Sequence, residues 1–182
     1  MPNQTDANTS PLDIEATVLR LRHASAVDSL AATNTPDTLT TWLRLTTSLT
    51  AKLTTQFGAA PGLVLLGEGL ESGQYWEREA LITENSIYAR HIALTVNEEP
   101  VVLARTVTLP GAGMDALTEL RNRPLAELLF EDPEWRRGTT VQYLHLANGS
   151  PGRGCHWHND KLEAGLIVQE FFLPKLSTLL SQ

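Results

Sequence analysis

Two arginines and one glutamate lie within segments that otherwise have the composition of buried strands. Arg90 and Arg105 are surrounded by Ile, Ala, Leu and Val residues, and Glu170 closely follows the apolar run 166–168. A guanidinium inside a core needs an anionic partner, because an unpaired buried charge is costly. These residues predict either structural ion pairs between Glu170 and one arginine, or a closed pocket for an anionic ligand with arginine at one end and glutamate at the other.

The two arginines belong to a predicted hairpin. Apolar, β-branched runs at 87–96 and 101–110 flank the polar turn 97–100, a pattern typical of two antiparallel strands. Strand side chains alternate between faces, so Arg90 shares a face with the larger apolar residues and is predicted to face the core. Symmetric pairing about the turn would place Arg105 level with Arg90, although either side chain could instead extend to solvent.

The glutamate lies in another predicted strand, next to Gln169. Because neighbours in a strand point to opposite faces, only one of Gln169 and Glu170 can face the core. Alternation alone fits a solvent-facing glutamate equally well, so both orientations of Glu170 stay open at this point.

Other chemistries have weaker support in the sequence. His145, His156, His158, Cys155 and Asp160 could suggest a metal, but neither an HExxH motif nor a CxxC pair is present, and those spacings are the ones that zinc sites use. Dinucleotide-binding, P-loop and serine-hydrolase motifs are also absent. We therefore expect no functional metal site.

Composition excludes several classes of protein. The 182 residues carry a net charge of −7, which argues against nonspecific nucleic-acid binding. The single cysteine, Cys155, rules out an internal disulfide framework and fits a reducing compartment. The polar N-terminus does not resemble a signal peptide, and no apolar run approaches the ~20 residues of a membrane helix. We expect a cytoplasmic protein with no nucleic-acid or membrane partner.

Strand-like segments dominate the middle of the chain and helical segments lie at both ends, without regular βαβ alternation. This order predicts an α+β fold with a largely antiparallel sheet. Helical periodicity predicts one helix over 37–57, and an aromatic-rich segment predicts a strand over 74–82. We expect a poorly ordered or helical N-terminal extension at 1–35 and one domain at 36–182.

Four stretches between residues 42 and 176 share the order and spacing of motifs in a known family. They are Trp42-Leu43 with Ser48 to Leu53, Tyr88 to Ile92 with Glu99-Pro100, Ala104 to Val107 and Pro110, Arg123 to Leu125 with Leu129-Phe130, and Gln169 to Pro174. Together they resemble the chorismate pyruvate-lyase family, which converts chorismate to 4-hydroxybenzoate and pyruvate at the first step of ubiquinone biosynthesis.

The resemblance implies a single antiparallel sheet flanked by helices and helical flaps that bury the ligand. It implies that Arg90 and Glu170 are the catalytic residues, with Arg90 binding the ring carboxylate and Glu170 meeting the hydroxyl or ether oxygen at the opposite end of the ring. Backbone N–H groups at Leu49 and Leu125 would assist the carboxylate, and the position of Arg105 adds it as a further candidate for substrate binding. The resemblance implies no metal or organic cofactor, and we expect a monomer.

The segment 152–160 departs from the family pattern. The arginines that the family carries there are absent or displaced to Arg153, and the pair Arg136-Arg137 lies earlier. Two alternatives follow: a lyase that gives 3-hydroxybenzoate, and a non-catalytic domain that binds a small aromatic acid, as in the effector domains of some transcription regulators. Such regulators carry an N-terminal DNA-binding domain, and only about 40 residues precede the resemblance. We therefore expect the enzyme.

Overall fold

The computed structural model describes residues 12–33 and 35–182. These residues form seven helices and seven strands. The helices are α1 (Ile14–Arg22), α2 (Asp37–Leu43), α3 (Leu49–Phe57), α4 (Tyr75–Ala80), α5 (Ala112–Leu120), α6 (Leu125–Glu131) and α7 (Pro174–Leu180). The strands are β1 (Ser25–Val27), β2 (Gly62–Glu71), β3 (Ile87–Val96), β4 (Glu99–Thr108), β5 (Arg136–His145), β6 (Pro151–Asn159) and β7 (Ala164–Phe172), and a 3₁₀ turn spans Leu30–Thr33.

All seven strands form one sheet in the order β1-β5-β6-β7-β4-β3-β2, and every neighbouring pair is antiparallel. The predicted α+β fold with a single antiparallel sheet is therefore confirmed. Strand β1 pairs with β5, so residues 25–27 already belong to the sheet. The boundary predicted between residues 35 and 36 stays a prediction, and residues 1–11 of the predicted extension lie outside the described residues.

The two faces of the sheet are covered by different helices. The front face, which carries Arg90, Ile92 and Leu94, packs against α2, α3, α5, α6 and α7. The back face, which carries His91 and Ala93, packs against α1 and α4. Alternation along each strand thus sends residues of β3 into two separate interiors.

A β-bulge interrupts the hairpin of β3 and β4. Leu94 lies opposite Val102, whereas Thr95 lies opposite Pro100, so Val101 is an extra residue on β4. A bulge shifts the pairing by one residue, and a shift by one residue moves every following side chain to the other face.

The bulge decides where the two arginines of the hairpin point. Arg90 lies opposite Thr106, and Arg105 lies opposite His91. Arg90 is therefore on the front face and Arg105 on the back face. Symmetric pairing about the turn predicts instead that the two arginines lie level with each other in the hairpin. This shift could not be predicted from residue types, because the apolar run at 101–104 has the pattern of an uninterrupted strand.

Two predicted elements differ from the structure. The helix predicted over 37–57 is two helices, α2 and α3, separated at 44–48, because the Ser48 side chain caps α3 by accepting from the Ala51 N–H at 3.2 Å. The strand predicted over 74–82 is the helix α4. Its first turn is closed by Glu77, whose carboxylate accepts from the Gln74 N–H at 2.8 Å.

Two glycines of β6 allow a matched test of packing. A Cβ on Gly152 would lie 2.8 Å from the Glu170 carbonyl oxygen and would overlap the Phe171 ring, whereas a Cβ on Gly154 would meet its nearest neighbour, a Leu144 methyl, at 3.4 Å. We expect Gly152→Ala to lower the free energy of unfolding by about 1–3 kcal/mol, because overpacking forces its neighbours to move. Gly154→Ala should cost less than about 1 kcal/mol. Urea unfolding of both variants checks this, and equal losses would contradict it.

Candidate active site

A cavity lies between the front face of the sheet and helices α3 and α6. The centres of water molecules can occupy about 70 Å³ of this cavity, which is several times the volume that the centre of one buried water needs. Most of its wall is apolar, and charged side chains are confined to the sheet. The lining residues are Thr47, Leu49, Thr50, Arg90, Ile92, Leu94, Ala104, Thr106, Pro124, Leu125, Ala126, Leu129, Phe130, Arg137, Arg153, Cys155, Trp157, Val168 and Glu170.

Arg90 lies in β3, with only 3% of its surface exposed. Its Nη2 donates to the carbonyl oxygens of Arg121 at 2.6 Å and Arg123 at 3.2 Å, in the loop before α6. Its Nε is buried without a hydrogen-bond partner among the described residues. Burial lowers the pKa of Arg90, and the negative charge of Glu68 only partly offsets this. Since a guanidinium stays protonated in proteins, Arg90 presents a cation with an unused donor.

Glu170 lies on the same face as Arg90, and its neighbour Gln169 is fully buried on the back face. The structure thereby decides between the two orientations that alternation had left open. The partner of Glu170 is Arg153, whose Nε and Nη2 both donate to Oε2, at 2.8 Å and 2.7 Å. Of the two alternatives drawn from the sequence, a structural ion pair of Glu170 with Arg90 or Arg105 is wrong, because Arg153 of the adjacent strand lies directly opposite Glu170.

Arg153 also connects the site to the break between α2 and α3. Its Nη1 donates to the carbonyl oxygens of Leu43, at 3.4 Å, and Leu45. Only 4% of Arg153 is exposed, so its donors are shared among one carboxylate and two carbonyls. The residue that orients Glu170 therefore also holds the segment leading into α3.

Arg137 reaches the cavity from β5. Its Nη2 lies 2.8 Å from the Cys155 sulfur and 3.4 Å from the Leu45 carbonyl oxygen. Burial raises the pKa of the Cys155 thiol, although the charges of Arg137 and Arg153 act in the opposite direction. A thiol held neutral is a poor nucleophile. It also provides no negative charge to balance Arg137.

Leu49 and Leu125 are the first residues of α3 and α6, and both line the cavity. The N–H groups of a first helical turn have no partner inside their own helix. The structure thus brings Arg90, Glu170, Leu49 and Leu125 to one cavity. Their predicted roles stay predictions.

Sequence reasoning gave no site role to Arg137 or Arg153. Arg153 is flanked by Gly152 and Gly154, and Arg137 precedes Gly138, so neither lies in a recognisable apolar strand. Placing them requires the pairing of β5 with β6 and of β6 with β7, which brings both side chains to the front face.

Comparison with known proteins identifies the family. The family model described as chorismate lyase matches residues 24–180 of this chain. The chain belongs to the chorismate lyase family. The resemblance predicted from the sequence motifs is thereby confirmed.

Two similar relatives carry the corresponding names. A "Probable chorismate pyruvate-lyase" from Marinobacter nauticus is 33% identical over 145 residues, covering 74% of this chain and 76% of that protein. A "Chorismate pyruvate-lyase" from Pectobacterium atrosepticum is 31% identical over 116 residues, covering 60% and 62%. Among solved structures, the "possible transcriptional regulator YydK" from Bacillus subtilis is similar with a TM-score of 0.43 and 6% identity, covering 64% of this chain and 58% of that one.

In this member of the chorismate lyase family, Arg105 is not part of the cavity. It is fully buried on the back face, where its Nε and Nη2 donate to Glu77 at 2.7 Å and 2.8 Å and its Nη1 pairs with Glu71 at 2.5 Å. Burial alone would raise the pKa of Glu77, but the hydrogen bonds and charge of Arg105 hold it below its ordinary value. The expectation that Arg105 binds substrate is corrected: the bulge turns it into a structural ion pair.

Within residues 12–33 and 35–182, no group of three or more His, Cys, Asp or Glu side chains could hold a metal ion. In the same part of the chain, no helix is both long enough and apolar enough to cross a membrane.

The buried network around Arg105 makes stability depend on pH through His91. Its Nε2 lies 2.7 Å from Arg105 Nη1, and burial together with the Arg105 charge lowers the pKa of His91 from 6.5 to about 4. Between these two pH values the unfolded chain binds a proton that the folded chain does not. Stability therefore falls as pH falls through this window, by up to about 1.4 kcal/mol per pH unit.

We expect unfolding free energies to show this loss, with His91 contributing about 2 kcal/mol between pH 7 and pH 5. His91→Gln keeps an acceptor for Arg105 but does not titrate, so it should remove that contribution. Between pH 8 and pH 7 the wild type and variant should have the same pH slope, which serves as the control. An unchanged slope in the variant between pH 7 and pH 5 would contradict the assignment.

Proposed function

We propose that this chain converts chorismate to 4-hydroxybenzoate and pyruvate. The observation that carries the proposal is that Arg90 and the Glu170–Arg153 pair line one largely apolar cavity on one face of the sheet. Membership of the chorismate lyase family supports the same reaction. The substrate is accordingly a small molecule with an aromatic-sized ring and carboxylates.

Arg90 would bind the ring carboxylate. Its buried Nε has no partner in the described residues, and a carboxylate accepts charge-assisted hydrogen bonds from a guanidinium in a defined plane. Amides at Leu49 and Leu125 would provide further donors where α3 and α6 begin. The axes of strands β3 and β7, which carry Arg90 and Glu170, are two strand steps or about 10 Å apart, and both side chains line the cavity.

Glu170 would act at the other end of the ring. The reaction breaks the bond between ring carbon 3 and the ether oxygen, and the proton on ring carbon 4 leaves as the ring becomes aromatic. The departing enolpyruvate takes up one proton to become pyruvate. Glu170 can carry that proton from the ring to the enolpyruvate, so atoms balance without water or an oxidant. Proton transfer by a positioned carboxyl group typically contributes ~10²–10⁴-fold to a rate.

The cavity would promote the reaction by holding the substrate in position more than by nucleophilic attack on it. Apolar residues of α3 and α6, such as Leu49 and Leu129, line the cavity. With the substrate filling the cavity, they would keep water away from its carboxylate, which strengthens electrostatic interactions with that anion. The place of this reaction at the start of ubiquinone biosynthesis, the monomeric state and the cytoplasmic location remain predictions.

The test is to mix the purified protein with chorismate and to measure pyruvate and the aromatic product. Arg90→Ala should lower kcat/KM by about 30- to 1,000-fold, corresponding to roughly 2–4 kcal/mol of lost anion stabilisation. Arg44→Ala, which removes an exposed arginine outside the cavity, is the matched control and should leave kcat/KM unchanged. Near-normal turnover by Arg90→Ala would contradict the assignment.

Glu170→Gln should lower kcat by about 10²–10⁴-fold, because the amide keeps the size of the side chain but cannot carry the proton. Chromatography of the product separates the alternatives. Release of 3-hydroxybenzoate would replace the proposed product isomer, and binding of chorismate without release of pyruvate would point to a binding domain.

A further inference from the structure

The positive and negative charges of the side chains that line the cavity are unequal in number. Three guanidinium groups, of Arg90, Arg137 and Arg153, share the cavity with one carboxylate, of Glu170. Arg153 is neutralised by Glu170, and within the described part of the chain no carboxylate forms an ion pair with Arg90 or Arg137. Glu68 lies opposite Arg90 on β2 and its charge acts on Arg90, but it forms no ion pair with Arg90 and does not line the cavity. Among the residues that line the cavity, two positive charges therefore have no ion-pair partner. Because unpaired charges near an apolar interior are unfavourable, the site is complementary to a ligand with two negative charges.

The two unpartnered cations lie at opposite ends of one row of the sheet. Arg90 lies opposite Thr106, Thr106 opposite Val168, and Val168 opposite Cys155. The Arg137 guanidinium lies against the Cys155 sulfur at 2.8 Å. Three strand steps, or about 14 Å between backbones, separate Arg90 from Cys155, and the Arg137 side chain reaches Cys155 from the next strand, β5.

Glu170 lies between these ends. Its strand, β7, separates the β3 strand of Arg90 from the β6 and β5 strands of Arg153 and Arg137. The order across the sheet is therefore cation, carboxylate, cation. Arg153 cannot serve as the free cation, since its donors already bind Glu170 and the carbonyl oxygens of Leu43 and Leu45.

We infer that Arg137 binds the carboxylate of the enolpyruvyl side chain of chorismate, while Arg90 binds the carboxylate on the ring. This inference rests on the proposed function. Chorismate has both carboxylates, and its enolpyruvyl group is attached through the ether oxygen at which Glu170 acts, so the second carboxylate extends beyond Glu170 towards β6 and β5. The product 4-hydroxybenzoate has only the ring carboxylate. Arg137 therefore distinguishes the dianionic substrate from the monoanionic aromatic product.

The test compares two aromatic probes by titration calorimetry. 4-Hydroxybenzoate carries one carboxylate, and 3-(1-carboxyvinyloxy)benzoate carries both and cannot react by aromatisation. Arg137→Gln should raise the Kd of the dicarboxylate about 10- to 100-fold, the effect of one hydrogen-bonded charge. It should change the Kd of 4-hydroxybenzoate less than about 3-fold. Arg90→Gln should weaken both probes. With chorismate, Arg137→Gln should raise KM by a similar factor.

Arg136 provides the matched control. It neighbours Arg137 on the same strand but is 62% exposed, pairs with Asp160 and does not line the cavity. Arg136→Gln should leave both Kd values unchanged. Arg137→Lys keeps the charge without the planar fork and should recover part of the lost affinity for the dicarboxylate. Partial unfolding of a variant would lower the number of binding sites for both probes alike, and calorimetry reports that number separately from Kd.

Two results would overturn the inference. Arg137→Gln could weaken both probes by the same factor, or it could leave the affinity for the dicarboxylate unchanged. Pyruvate release by the wild type is scored independently. Its absence overturns the proposed lyase reaction, whereas loss of the selective effect on the dicarboxylate overturns the role of Arg137 alone.

Discussion

The structure depends on the one-residue bulge that separates Arg90 from Arg105. Without the extra residue Val101, the two arginines would lie side by side on the front face, and two adjacent guanidinium groups would repel each other. With it, Arg105 enters a buried network with Glu77 on the back face. Arg90 remains in the cavity, where no carboxylate of residues 12–33 or 35–182 forms an ion pair with it. The same bulge thus directs one arginine of the hairpin into a buried ion pair and leaves the other to line the cavity.

The site also determines part of the architecture around it. Arg153 joins Glu170 to the carbonyl oxygens of Leu43 and Leu45, which lie where the expected long helix is broken. Those carbonyls are free to accept because the break removes them from the helical hydrogen-bond pattern. The break that places the start of α3 over the cavity is therefore stabilised from inside the cavity. Fold and site depend on each other at this point.

Much of the fold and part of the site could be predicted from the sequence. The hairpin, the front-facing Arg90 and the sheet class followed from alternation and from the order of segments. The face on which Arg105 lies could not be predicted, because a bulge inside an apolar run has no signature in residue types. Arg153 was not assigned a site role because strand pairing, and not composition, brings a glycine-flanked arginine beside Glu170. The aromatic residues of Tyr75–Ala80 favour a strand, whereas the structure has a helix there that buried Glu77 holds in place.

The contacts of Arg90 with the carbonyl oxygens of Arg121 and Arg123 have one more consequence. The guanidinium is already immobilised by neutral acceptors, so its rotamer freedom is lost on folding and not on association. A carboxylate that binds as proposed would therefore require little further ordering of this side chain. Because the acceptors belong to the loop that leads into α6, a displacement of that loop would also displace the Arg90 guanidinium.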